Sequence, residues 1–186
     1  FNDLAGDIKN ILHGENRMRD FVGYTTPELN ERLSATFNAI RGTDELENNN
    51  LGDSISLSLN YKTELFYAVL SIDSEVRGYD SNRMSIYVPF NKTKLGFIYQ
   101  DTKKLSTGVE ERGHVVSLSR KVGDRGTLKV QIAKSDMKLD SGKQTSFGYD
   151  YNLSQELKIF IFSTDLTGKD MTKEKEIRAI GFEYKF

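Results

Sequence analysis

The sequence predicts an all-β chain, a transmembrane antiparallel β-barrel of about eleven strands, on three observations. Apolar and polar residues alternate with period two in segment after segment from residue 17 onward, and no stretch there has the pattern of an ordinary helix. The polar positions of that alternation are small: Ser56, Ser58, Gly96, Ser117, Ser119, Ser146 and Gly148. The polar face of a soluble sandwich usually carries long charged side chains, so small polar residues point to a water-filled interior. Thirdly, tight connections alternate with longer polar ones, as in barrels with short turns at one rim and long loops at the other.

Composition bounds the possibilities. The chain has 186 residues, no Cys or Trp, nine Tyr, eleven Phe and two Pro. Its mean hydropathy is −0.53. The length suits one domain. Without cysteine there is no disulfide scaffold and no thiolate metal site. No apolar run is long enough for a membrane helix, whereas barrel strands of about ten alternating residues escape hydropathy windows. A formal net charge of −1 gives no support to a nucleic-acid partner. Neither a cofactor nor a metal is expected. The chain opens on Phe1 with no basic-then-apolar leader, which reads as a mature, processed or incomplete chain.

In order along the chain, residues 1–16 stand apart. Leu4, Ile8, Ile11 and Leu12 have helical spacing, and Gly14 is a stop. This predicts one or two amphipathic turns. The first strand is expected at 17–26, with Arg17 and Arg19 on one face and Met18, Val22 and Tyr24 on the other. The second, at 31–40, sets Arg32, Ser34, Thr36 and Asn38 against Leu33, Ala35, Phe37 and Ala39. Further strands are expected at 54–61, 65–73, 83–90, 94–101, 113–121, 127–134, 146–153 and 157–164, and the closing one at 178–186. In the last, Ile180, Phe182, Tyr184 and Phe186 alternate with Gly181, Glu183 and Lys185.

Tight turns fall near 27–30, 62–64, 91–93, 123–126 and 154–156, and longer loops at 41–53, 74–82, 102–112, 135–144 and 165–177. The mixed-charge loop tips at 45–50 and 169–176 read as solvated, and they lack the Gly and Glu spacing of an EF-hand. Tyr24, Tyr61, Phe90, Tyr99, Tyr149, Tyr151, Tyr184 and Phe186 lie toward strand ends or turns, where an interfacial girdle would sit.

Single-chain bacterial barrels use even strand counts, so eleven means either one misplaced strand or part of a larger barrel. Two other readings stay open at this point. A smaller complete barrel of ten or twelve strands would act as an anchor or narrow channel. A soluble barrel binding an apolar ligand would need an apolar interior. An enzyme has little support: only His13 and His114 could serve as imidazole bases, and no Ser or Asp motif is phased to either.

The stretch Arg17, Asp20, Tyr24, Thr26, Pro27 resembles the Arg-x-x-Asn/Asp-x-x-x-Tyr-x-Ser/Thr-Pro opening of the sixth strand in Gram-negative trimeric general porins. Gly181, Phe182, Tyr184 and Phe186 are similar to that family's closing strand, and Tyr149, Tyr151, Leu153 and Ser154 to its penultimate hairpin. The resemblance implies the later part of a sixteen-stranded barrel, with residues 1–16 as the constriction-loop segment and 17–186 as barrel strands. It implies a passive outer-membrane channel for small hydrophilic solutes and ions, with no covalent chemistry. Selectivity would come from opposed charges at the narrowest point: Asp3, Asp7 and Glu15 on the loop, with Arg17, Arg19 and Arg32 on the wall. It also implies a homotrimer in contact with outer-membrane lipid and lipopolysaccharide. Ile180, Phe182, Tyr184 and Phe186 would be the signal read by the barrel assembly machinery.

Overall fold

Alternation with period two places successive side chains on opposite faces of a strand, and such strands bury their backbone polar groups only by pairing. The computed structural model describes residues 4–14, 17–42, 50–138, 142–168 and 175–185. In it the chain pairs strand after strand into one eleven-stranded sheet in sequence order. The strands are β1 (Phe21–Thr25), β2 (Leu33–Arg41), β3 (Leu51–Lys62), β4 (Tyr67–Val76), β5 (Tyr79–Phe90) and β6 (Thr93–Lys104). They continue with β7 (Glu110–Val122), β8 (Gly126–Ser135), β9 (Lys143–Asn152), β10 (Leu157–Thr167) and β11 (Lys175–Tyr184). Each neighbouring pair is antiparallel. β1 and β11 are the edges of the described sheet.

Most strand ends differ by a few residues from those the sequence suggests, and two of the differences change the reading. The first strand starts at Phe21 rather than residue 17, because Asp20 turns the chain at a positive φ of 54°. The expected long loop at 74–82 is a tight hairpin: only Arg77 and Gly78 separate β4 from β5, with φ of 52° and 77°. Positive φ at both central positions is the primed turn whose twist matches the flanking strands. The strict short–long alternation therefore fails at this corner. Asp73, Ser74, Glu75, Asp80, Ser81 and Asn82 look like loop residues, yet all six belong to the two strands.

The register separates the two faces. Ser58, Ser71, Arg83, Gln100, Gly113 and Ser135 lie side by side across β3 to β8. On the opposite face Leu128, Tyr149, Ile161 and Ile180 align across β8 to β11. That second face is apolar and bare, with Ile180 76% and Phe182 74% exposed. Water penalises so large an apolar surface, whereas lipid does not. Charged side chains appear on it toward the loop rim, at Asp101, Arg112 and Lys134. Tyr24, Tyr61, Phe90, Tyr151 and Tyr184 lie on it toward the turn rim.

The first face is largely polar, and its buried members lie toward the loop rim. Ser81 and Thr102 share a hydrogen bond of 3.1 Å, and Ser146 and Thr164 one of 3.0 Å. Among the described residues no buried side-chain nitrogen or oxygen lacks a partner. Apolar outside and polar inside is the inverse of a soluble ligand-binding barrel, which removes that alternative.

Candidate functional site

The leading segment lies on the polar face, hereafter the inner face. It is too short to satisfy its own backbone, so the wall does so. Its regular piece is a 3₁₀ turn, Ile8–Asn10, capped by Asp7, whose carboxylate accepts from the Lys9 amide at 2.9 Å. Gln131 and Gln144 both donate from Nε2 to the Gly6 carbonyl at 2.7 Å. Ser135 Oγ donates to the Ile11 carbonyl at 2.5 Å. Arg83 Nη2 donates to the His13 carbonyl at 2.5 Å and to Gln100 Oε1 at 2.9 Å. Lys138 Nζ donates to the Lys9 carbonyl at 2.6 Å.

A small apolar patch completes the seat. Ile11 and Leu12, both 0% exposed, pack with Val115, Ala133, Met137 and Leu166. Gly113 makes the close approach possible, because a Cβ there would overlap Leu12 Cδ2 and Ser135 Cβ. Burying two such side chains contributes about 3–6 kcal/mol by area. The helical spacing of Leu4, Ile8, Ile11 and Leu12 thus serves a docked segment.

The charged residues expected at a constriction are placed unevenly. Asp7 is buried beneath the segment, with Lys9 Nζ 3.6 Å from its Oδ2. Asp3 and Glu15 lie outside the described residues, as does Phe186. Arg17 and Arg19 are exposed in the extended stretch before β1, so strand parity does not set their direction. The Arg17 carbonyl accepts from Arg77 Nη2 at 3.5 Å, which places this stretch at the loop rim. Arg32 is exposed at the opposite rim, just before β2. It lines an inner recess with Ser34, Asn60 and Lys62. The cations that touch the segment are instead Arg83 and Lys138, which sequence reasoning did not select. Arg83 carried a parity signal: it shares the inward parity of β5 with Ser81 and Ser85, where a long cation stands out among small polar residues.

Between the segment and the wall lies a cavity of about 390 Å³. Asp7, Ile8, Tyr67, Tyr87, Ile98 and Gln131 are among its lining residues. At the other end of the segment His13 stacks on Tyr79 with ring centroids 4.6 Å apart, and its Nε2 is 3.6 Å from Glu111 Oε2. Burial holds the imidazole below its ordinary pKa of 6.5, helped by the Lys138 charge and opposed by a hydrogen bond with the Met137 backbone. His114 is exposed on the outward face, opposite Tyr99.

No protein-family model matches the chain, and no curated protein does. Solved structures do. An anion-selective porin from Comamonas acidovorans superposes with a TM-score of 0.75 at 20% identity, over 91% of this chain and 60% of that one. A further porin gives 0.71 at 14% identity, over 88% of this chain and 60% of its own. OmpF of Salmonella typhi, in complex with daunomycin, gives 0.69 at 12% identity, over 90% and 62%. These likenesses establish the fold, an antiparallel β-barrel wall of the porin type. The chain spans about 60% of the length of the porins it matches.

Proposed function

We propose that the chain forms the larger part of the wall of a passive outer-membrane channel for small hydrophilic solutes and ions. The observation that carries this is the segment 4–14, held on the wet inner face of a sheet whose outward face is apolar. Such a segment narrows a water-filled space without closing it, and solutes would pass between it and the wall by size and charge. In this reading it is the constriction element, and five further strands bridge the edges β1 and β11 to close a barrel of sixteen. The assembled channel is a trimer seated in outer-membrane lipid and lipopolysaccharide. Ile180, Phe182 and Tyr184, presented outward on the edge strand, belong with Phe186 to the signal for the assembly machinery. The channel does no covalent chemistry. Fewer observations favour a small complete barrel, since among the described residues β1 and β11 are not paired neighbours.

Liposome swelling with the full-length protein tests this. Uptake of neutral sugars that falls steeply as the sugar grows supports a sieving pore, and vesicles that stay impermeable to the smallest sugar contradict it.

A further inference from the structure

The inner face divides by charge along its length. Toward the loop rim cations and carboxylates mix: Lys9 with Asp7, and Arg83 and Lys138 with Asp73 and Glu111 nearby on the same face. Toward the turn rim the balance is cationic. Lys62, Lys94, Lys121 and Lys129 have the inner-face register of β3, β6, β7 and β8, and Arg32 stands at the entry to β2. Lys129 is held by Asp150 at 2.8 Å. Among the described residues no carboxylate is in ion-pair contact with Arg32, Lys62, Lys94 or Lys121, and all four are exposed. Arg32 and Lys62 border a recess of about 570 Å³ in which Glu28 is the one carboxylate. A neighbouring recess of about 200 Å³, sharing Tyr87 with it, is bordered by Lys94 and Lys129.

We infer that this turn-rim vestibule attracts anions, so that the preferred solutes are small anions bearing carboxylate or phosphate groups. The inference rests on the channel reading above. Fixed charge on low-dielectric walls around a narrow aqueous space focuses the field and raises the local counter-ion concentration. Lys94 and Lys121 stand on neighbouring strands, with Lys62 three strands from Lys94; their fields overlap more at ~0.1 M salt, where the Debye length is about 10 Å, than at about 1 M, where it is about 3 Å.

Reversal potentials of the full-length protein in planar bilayers, measured across a KCl gradient, test it. The native channel is expected to pass chloride over potassium by about threefold or more at ~0.1 M salt, with the ratio falling toward unity at ~1 M. The triple variant Lys62→Glu, Lys94→Glu, Lys121→Glu should reverse the preference, while Arg at the same three positions should keep it. Lys94→Glu alone, checked for native heat-modifiable migration on gels, should give a partial shift if the triple variant does not fold. A native channel that prefers potassium, or an anion preference that survives the charge reversals, overturns the inference and leaves the channel standing. Absence of any conductance overturns both.

Discussion

Gly113, Leu12 and His13 decide how the leading segment is held. Because a side chain at Gly113 would occupy the space of Leu12, Gly113→Val should lift the segment from the wall. Limited proteolysis should then cut within 4–14 several times faster, with the folded barrel still resisting protease. Unchanged cleavage would show that the seat does not depend on this approach. His13 adds a pH dependence whose sign follows from its lowered pKa. The undocked state binds the proton more readily, so docking is fully supported above about pH 6.5 and weakens as pH falls through the lower docked value. Protonation would also set His13⁺ against Glu111 on one side and Lys138 and Lys104 on the other. Segment cleavage should therefore speed up on acidification, and His13→Gln should flatten that response. At this scale the sequence was only partly legible. The contact between Gln131 and Gly6 joins residues 125 apart in the chain, which no local pattern reveals. Parity could mark Arg83 and Gln144 as inward and bulky, but not what they grip.

At the level of elements, the strand centres were readable and the strand ends were not. Between the rims one face meets lipid and the other water, so Ser-Ile-Ser-Leu-Ser-Leu at 54–59 alternates cleanly. Above the lipid both faces are wet, alternation stops, and the adjoining ends of β4 and β5, at 74–76 and 79–82, read as a loop around Arg77 and Gly78. That hairpin makes its own prediction. Gly78→Val should cost about 1 kcal/mol or more in urea unfolding from bilayers, since a β-branched residue resists φ of 77°. A loss near zero would mean that the turn re-forms in another type. The two faces of β3 give a sharper contrast. Leu57→Arg points a charge into lipid at mid-strand and should cost about 2–4 kcal/mol, whereas Ser58→Arg points into water and should cost far less. Equal costs would mean that the faces are wrongly assigned.

For the molecule as a whole, the order of pairing is the simplest available. Every strand bonds to its predecessor, and among the described residues the sheet ends on β1 and β11. The fold class followed from the sequence because a polar interior built from Ser and Gly is rare outside wet barrels. Strand number followed from eleven separate alternating cores. The placement of the inner-face charges was not so accessible. Arg17, Arg19 and Arg32 were assigned to the wall by the porin resemblance and by strand parity; the stretch holding Arg17 and Arg19 lies at the loop rim and Arg32 at the turn rim. The lysines of the turn rim come from β3, β6, β7 and β8 and share one face only through the register. The polar inner face therefore depends on all eleven strands keeping that register. The native chain has no cysteine, so single cysteines can probe it directly in bilayers. The most direct measurement attaches a bulky membrane-impermeant thiol reagent at Ser58 or Ser117 and, in parallel, at Leu57 or Val116 while single-channel current is recorded. Stepwise loss of current at Ser58 and Ser117, with none at Leu57 and Val116, is the predicted result. Current unaffected at the serine positions, or blocked equally at all four, would contradict a water-filled channel lined by this face.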